Sequence, residues 1–242
     1  MRHLDFTIDF ETCSLSANAA PMQVAVVPWR RDAVEDPFVM DEDGTLTEEQ
    51  TSKWPEPYVG YVDLRTCVVD GFDFDPETVR WWADRSAAAK EAVTKGLAEP
   101  VQDVLIGVLD HIRNAATELR LESVCLWCQG MDVDIAILRN LCKKYDIDLE
   151  NTVAHTEFRD CRTIILEGAM VKAMQMHKKA TEDYPELAGD GKPCFLRLPD
   201  MADKVFAPLP SRYAAGSEAH DALYDAMRSS WYTWQALKSL QP

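Results

Sequence analysis

A chain of 242 residues with 47% hydrophobic and 27% charged residues can bury a substantial core, which excludes a disordered or low-complexity protein. The formal net charge of -16 argues against a general nucleic-acid binder, which needs a basic surface; an enzyme gripping a few terminal nucleotides is still admissible if cations reverse the field locally. No apolar run reaches about 18 residues, and acids interrupt the N-terminus where a secretion signal is apolar, so a cytoplasmic protein without a membrane span is expected.

Residues 4–11 alternate: Leu4, Phe6, Ile8 and Phe10 on one face, Asp5, Thr7, Asp9 and Glu11 on the other. This pattern predicts a half-buried first strand whose polar face meets solvent. Gln23 to Pro28 and Tyr58 to Leu64 read as further strands, with a short one near Phe38 to Met40. Between them lies an acidic stretch turned by Asp43-Gly44, read as an elaborated β-hairpin insertion over about 29–60. Asp75-Pro76 opens a predicted helix running to about Lys95, which Gly96 ends, and Pro100 starts another through about Leu119. Ser123 to Cys128 is a buried strand, followed by a helix over about 132–145. A further strand and helix are expected around 153–168, then an irregular Pro- and Gly-rich segment over about 182–216, then a helix over about 221–240. Hairpin strands followed by strand-helix alternation predict an α/β mixed sheet.

Seven cysteines, an odd number at scattered spacings, form no disulfide framework. The pair Cys125 and Cys128 falls on a strand, where residues three apart point to opposite faces, so zinc or dithiol chemistry is not expected. The acids are more informative. Asp9 and Glu11 share one strand face, an arrangement that suits a hard cation with oxygen ligands. Asp134 sits where a buried strand gives way to a helix, the usual rim for sites in α/β sheets. His220 and Asp225 are five positions apart and share no helical face, so they converge only if His220 precedes the helix. Each feature alone is weak. Trp81 and Trp82 read as packing residues, the lysines of His177-Lys178-Lys179 as a solvated face, and Arg212-Tyr213 as a local basic and aromatic feature.

Together these residues resemble the DEDDh branch of the ribonuclease H-like 3'-5' exonucleases. Asp9-Phe10-Glu11-Thr12 is similar to the first motif of that family. Asp134 with the apolar residues that follow is similar to the second, and His220-Asp221-Ala222-Leu223-Tyr224-Asp225-Ala226 to the third. Arg159 to Thr163 resembles a segment of phage-type, exonuclease VIII-like and exonuclease A-like members, and Ala20 to Val24 and Trp81-Trp82 extend the likeness. Gly130 and Val133 depart from the second motif, where the family commonly has Asn and often Phe.

The resemblance implies a ribonuclease H-like mixed five-stranded sheet flanked by helices, with residues 1–242 as a single exonuclease domain. It further implies two Mg²⁺ or Mn²⁺ ions held by Asp9, Glu11, Asp134 and Asp225, with His220 as general base. Imidazole is the side chain suited to proton exchange near neutral pH. The implied substrate is the single-stranded 3' end of DNA or RNA, held near Thr12, Ser14 and Leu15, with nucleoside 5'-monophosphates as products. The competing expectation is a catalytically silent nucleic-acid or protein interaction module retaining the same fold.

Overall fold

The computed structural model describes residues 3–38, 54–183, 198–214 and 220–241. Its sheet has strand order β4-β3-β2-β1-β5-β6, formed by β1 (His3–Thr12), β2 (Pro21–Trp29), β3 (Tyr58–Val62), β4 (Ala98–Glu99), β5 (Ser123–Cys128) and β6 (Phe158–Asp160). β1–β2 and β2–β3 are antiparallel, whereas β1–β5, β5–β6 and β3–β4 are parallel. The mixed α/β sheet thus has six strands rather than five. The extra strand is the two-residue β4, too short to leave a periodic trace in sequence.

Helices α1 (Leu64–Val69), α2 (Pro76–Ala83), α3 (Ala87–Ala92), α4 (Val101–Glu118), α5 (Ala136–Lys144), α6 (Cys161–Asp183), α7 (Leu198–Val205), α8 (Ser211–Ala214) and α9 (Ala222–Ser239) cover the sheet. The single helix expected from Asp75 to Lys95 is two. α2 ends at Asp84, and Ser86 then caps α3 by accepting a hydrogen bond from the Ala89 N–H at 3.0 Å. α6 runs past residue 168 to Asp183, and α7 and α8 occupy part of the segment expected to be irregular. Phe38 lies in a turn; the Asp43-Gly44 turn, Val39 and Met40 fall outside the described residues.

The main correction concerns β1, which is buried on both faces. Leu4, Phe6, Ile8 and Phe10 pack with Val104, Leu105, Val108 and Ile112 of α4 in one core. On the other side α6 and α9 close over the sheet, forming a second core with Trp29, Trp127, Ile165 and Trp231. Gly168 permits this closure, since a Cβ there would stand 2.5 Å from Ala236 of α9. Cys128 belongs to the first core and Cys125 to the second, as opposite strand faces require.

Covering the polar face obliges its side chains to find partners. Thr7 Oγ1 accepts hydrogen bonds from Trp29 Nε1 (3.0 Å) and Ser230 Oγ (2.8 Å). Asp5, 1% exposed, accepts from Arg31 through both carboxylate oxygens and from Trp127 Nε1 at 2.6 Å. Burial works to raise the pKa of Asp5, but these hydrogen bonds and the Arg31 charge outweigh it and hold the carboxyl below its ordinary value. Asp5 is therefore a structural anion. Among the described residues, no cation pairs with Asp9 or Glu11 farther along the same face.

Candidate active site

β5 pairs with β1 only as far as Thr7↔Trp127, so the last residues of β1 project past the end of its parallel neighbour. The chain leaves β5 through Gly130 into a π-helical turn, Met131–Ile135, before α5 begins. Such turns insert one residue into the helical register and often occur at functional sites. Here the turn aims Asp134 back at β1, where its Oδ1 accepts the Phe10 N–H at 3.2 Å. The strand edge vacated by β5 is thereby satisfied by a carboxylate, and Asp134 is 6% exposed.

The third contribution comes from the start of α9. Asp221, fully buried, caps the helix through the Leu223 N–H at 3.2 Å. Buried Gln23 on β2 donates to Asp221 Oδ1 (3.1 Å) and accepts from the Ala222 N–H (3.0 Å), pinning the helix end onto the sheet. Lys95 Nζ lies 3.0 Å from Asp221 Oδ2. His220 precedes the cap with φ +72°, a left-handed conformation that turns its backbone N–H onto Asp225 Oδ2 at 2.9 Å. Its ring meets Trp81 edge-on at 4.7 Å and Trp82 at 6.1 Å. Trp82 Nε1 in turn donates to the Thr12 carbonyl at 2.9 Å.

His220 thus stands before the helix, as convergence with Asp225 requires. Glu11, His220 and Asp225 each place a possible ligand atom within 4.8 Å of the others'. Asp9 is raised well above its ordinary pKa by burial and by the charges of Asp134, Glu11, Asp225 and Asp221, in that order. Burial and the neighbouring acids push Glu11 up to about 8. Asp134 rises to about 7 through burial, against the pull of the Phe10 N–H and the charge of Arg162. Asp225 is also raised by burial, with the His220 N–H opposing. Four carboxylates and an imidazole from β1, the π-helical turn and the start of α9 therefore face one locus.

Thr12 and Ser14 are buried in the turn after β1: Thr12 Oγ1 donates to the Ser14 carbonyl at 2.6 Å, and Ser14 Oγ accepts the Ser16 N–H at 3.2 Å. Leu15 is 73% exposed. Arg212 pairs with Asp36, and Tyr213 donates to Asp36 at 2.7 Å and packs on Phe38, so both pin a loop. The side chains of His177, Lys178 and Lys179 lie outside the described residues. Sequence reading missed Gln23 and Lys95 as supports of Asp221, and treated Trp81 and Trp82 as packing without seeing that they pack His220. The only signal was the position of Gln23 in the stretch after the first motif.

The repulsion among these acids has a measurable consequence. Because their folded-state pKa values are raised, the folded chain holds protons that the unfolded chain releases. Metal-free stability should then fall as pH rises from about 4.5, where unfolded carboxylates ionise, to about 8, where Glu11 does. The loss should be on the order of a few kcal/mol. Thermal unfolding from pH 5 to 8 in EDTA should show a falling midpoint; a flat or rising midpoint would contradict the arrangement.

Among solved structures, the chain is similar to the zinc-bound form of an E. coli exonuclease I complex with single-stranded DNA, with TM-score 0.47 and 15% identity over 99% of this chain and 40% of that one. It is similar also to an apo exonuclease I, with TM-score 0.47 and 14% identity over 96% of this chain and 42% of the other. The chain thus spans less than half the length of either. No curated protein matches it. The model of a family described as the 3'-5' exoribonuclease Rv2179c-like domain matches residues 4–189, a stretch that contains Asp9, Glu11 and Asp134 and stops short of His220 and Asp225. With more than half of its length matched, the chain belongs to the Rv2179c-like 3'-5' exoribonuclease domain family.

Proposed function

We propose that this protein is a divalent-metal-dependent 3'-5' exonuclease that removes nucleoside 5'-monophosphates from single-stranded nucleic acid, with residues 1–242 acting as one catalytic unit. The observation that carries the reading is the convergence of Asp9, Glu11, Asp134 and Asp225 with His220, in a chain of an exoribonuclease domain family.

The donor set fits hard cations. It consists of carboxylate oxygens with no thiol among them; burial disfavours their charged forms, and for Asp9 and Glu11 the neighbouring acid charges add to this, so a bound cation would offset the cost. Asp9, Glu11 and Asp225 would hold two Mg²⁺ or Mn²⁺ ions, with Asp134, held by the Phe10 N–H, supporting the pair. Ions bound there would supply Lewis acidity and stabilise both the attacking and the leaving oxygen of an in-line displacement.

His220 accepts the proton of the attacking water at a ring nitrogen. Trp81 and Trp82 restrain the imidazole from the sides, and its backbone N–H bond to Asp225 couples its placement to that of the acids. Exposed Leu15, just after the acid-bearing strand, offers an apolar contact to the terminal nucleoside, whereas the Thr12 and Ser14 hydroxyls shape the turn that presents it.

A time course on matched 5'-labelled single-stranded RNA and DNA, with Mg²⁺, Mn²⁺ or EDTA, tests this reading. A ladder shortening from the 3' end and abolished by EDTA is expected. We expect RNA to be the faster substrate, as the family's description indicates. No shortening of either strand by folded protein would refute the exonuclease reading in favour of a silent interaction module.

A further inference from the structure

An acidic chain that receives a polyanion needs cations beside the acids, and the cations whose charge reaches this cluster can be sorted by what already holds them. Lys95 pairs with Asp221 at 3.0 Å. Arg228, which acts on Asp225, pairs with Asp203 at 2.9 Å and lies over the ring of Tyr232. Arg162 is exposed, and its guanidinium makes no hydrogen bond or ion pair among the described residues. Yet its charge reaches Asp134.

The local chain explains why Arg162 stands there. It is the second residue of α6, directly after fully buried Cys161. The helix start is capped by Asp160, whose Oδ1 accepts the N–H groups of Arg162 (2.7 Å) and Thr163 (3.3 Å). Those amides are spent on the cap, so the side chain is what this helix end offers to an anion. The guanidinium lies against Gly130, the residue that leads into the turn carrying Asp134. A Cβ at Gly130 would sit 3.4 Å from Arg162 Nη2 and 3.8 Å from its Cζ. These are ordinary contact distances, so the guanidinium stands beside the residue that leads from the end of β5 into the turn carrying Asp134.

We infer that Arg162 is a substrate-binding residue that grips a phosphate of the nucleic-acid strand at the rim of the acid cluster, beside Gly130. The inference rests on the exonuclease reading for the identity of the strand. A planar fork of unpaired donors matches two non-bridging phosphate oxygens, whereas Lys in its place supplies a point charge. Loss of such a charged contact weakens binding by about tenfold to a hundredfold.

The test compares wild type, Arg162→Ala and Arg162→Lys in two assays. One is fluorescence anisotropy with a 5'-fluorescein single-stranded RNA decamer in Ca²⁺, across a range of salt concentrations. The other is the 3'-end shortening time course in Mg²⁺. Expected is binding about tenfold or more weaker for Arg162→Ala, partial recovery for Arg162→Lys, and a slope of log affinity against log salt shallower by about 0.7, the value of one single-strand phosphate contact. In turnover, KM should rise more than kcat falls. Thermal unfolding should match the wild type, since the side chain is exposed and makes no hydrogen bond or ion pair among the described residues. Arg162→Ala binding within twofold of wild type with an unchanged salt slope would overturn the inference, whatever the hydrolysis result. Weakened Arg162→Ala binding beside a wild type that never shortens the strand would instead sink the exonuclease reading and leave Arg162 as a phosphate contact.

Discussion

Asp9→Asn should reduce 3'-end shortening in Mg²⁺ by about a thousandfold or more while leaving the protein folded. Burial, and then the charges of four other acids, raise the pKa of Asp9, which places it amid the acid cluster. The amide keeps the shape of the side chain but removes the anion. Loss of several kcal/mol of transition-state charge stabilisation corresponds to about a thousandfold in rate at about 1.4 kcal/mol per tenfold. The same substitution should raise the thermal midpoint in EDTA at pH 8, because it relieves repulsion from Asp134, Glu11 and Asp225. A general packing defect lowers both activity and midpoint, so the opposite signs identify an electrostatic cause. Activity above a tenth of wild type in Mg²⁺ would remove Asp9 from the proposed site.

His220→Ala should lower kcat by about a hundredfold to ten-thousandfold, the usual range for loss of a positioned base. The apparent affinity for Mn²⁺ and the oligonucleotide KM should change little. The metal titration is the decisive arm, since His220 lies within ligand reach of Glu11 and Asp225. If His220 were a ligand, the Mn²⁺ requirement would shift by an order of magnitude or more. Its positive φ invites a control: His220→Asn tolerates that backbone better than alanine and should lose turnover to a similar degree. Wild-type kcat in either variant would eliminate the base assignment.

The candidate acids were legible because strand alternation is a strictly local rule. Asp9 and Glu11 must share a face wherever the strand lies, and β1 was readable from its period of two. β5 emerged with the expected bounds, since a short apolar run between polar flanks leaves little freedom. The third motif carried its own constraint, as five residues cannot bring His220 onto Asp225 unless the helix begins between them, and it begins at Ala222 after the Asp221 cap.

Other features depended on partners distant in sequence. The polar face of β1 looked solvated because nothing local announces that α6 and α9 will cover it. Only their packing makes Asp5 a buried partner of Arg31 and leaves Asp9 repelled by its neighbours. The break between α2 and α3 follows a short run, Asp84-Arg85-Ser86, in which a capping hydroxyl competes with helix continuation. The π-helical turn at Met131–Ile135, which turns Asp134 onto Phe10, has no composition signature. By itself the sequence determined the chemistry available, namely which acids and which histidine, and the local faces they occupy, because dihedral periodicity and capping act over a few residues. Tertiary structure alone decided that these groups converge, that Trp81, Trp82 and Gln23 hold the third motif in place, and that the Arg162 guanidinium stands beside Gly130. Those placements are set by contacts between distant segments, such as Gln23 with the Ala222 N–H 199 residues away, which no local rule encodes.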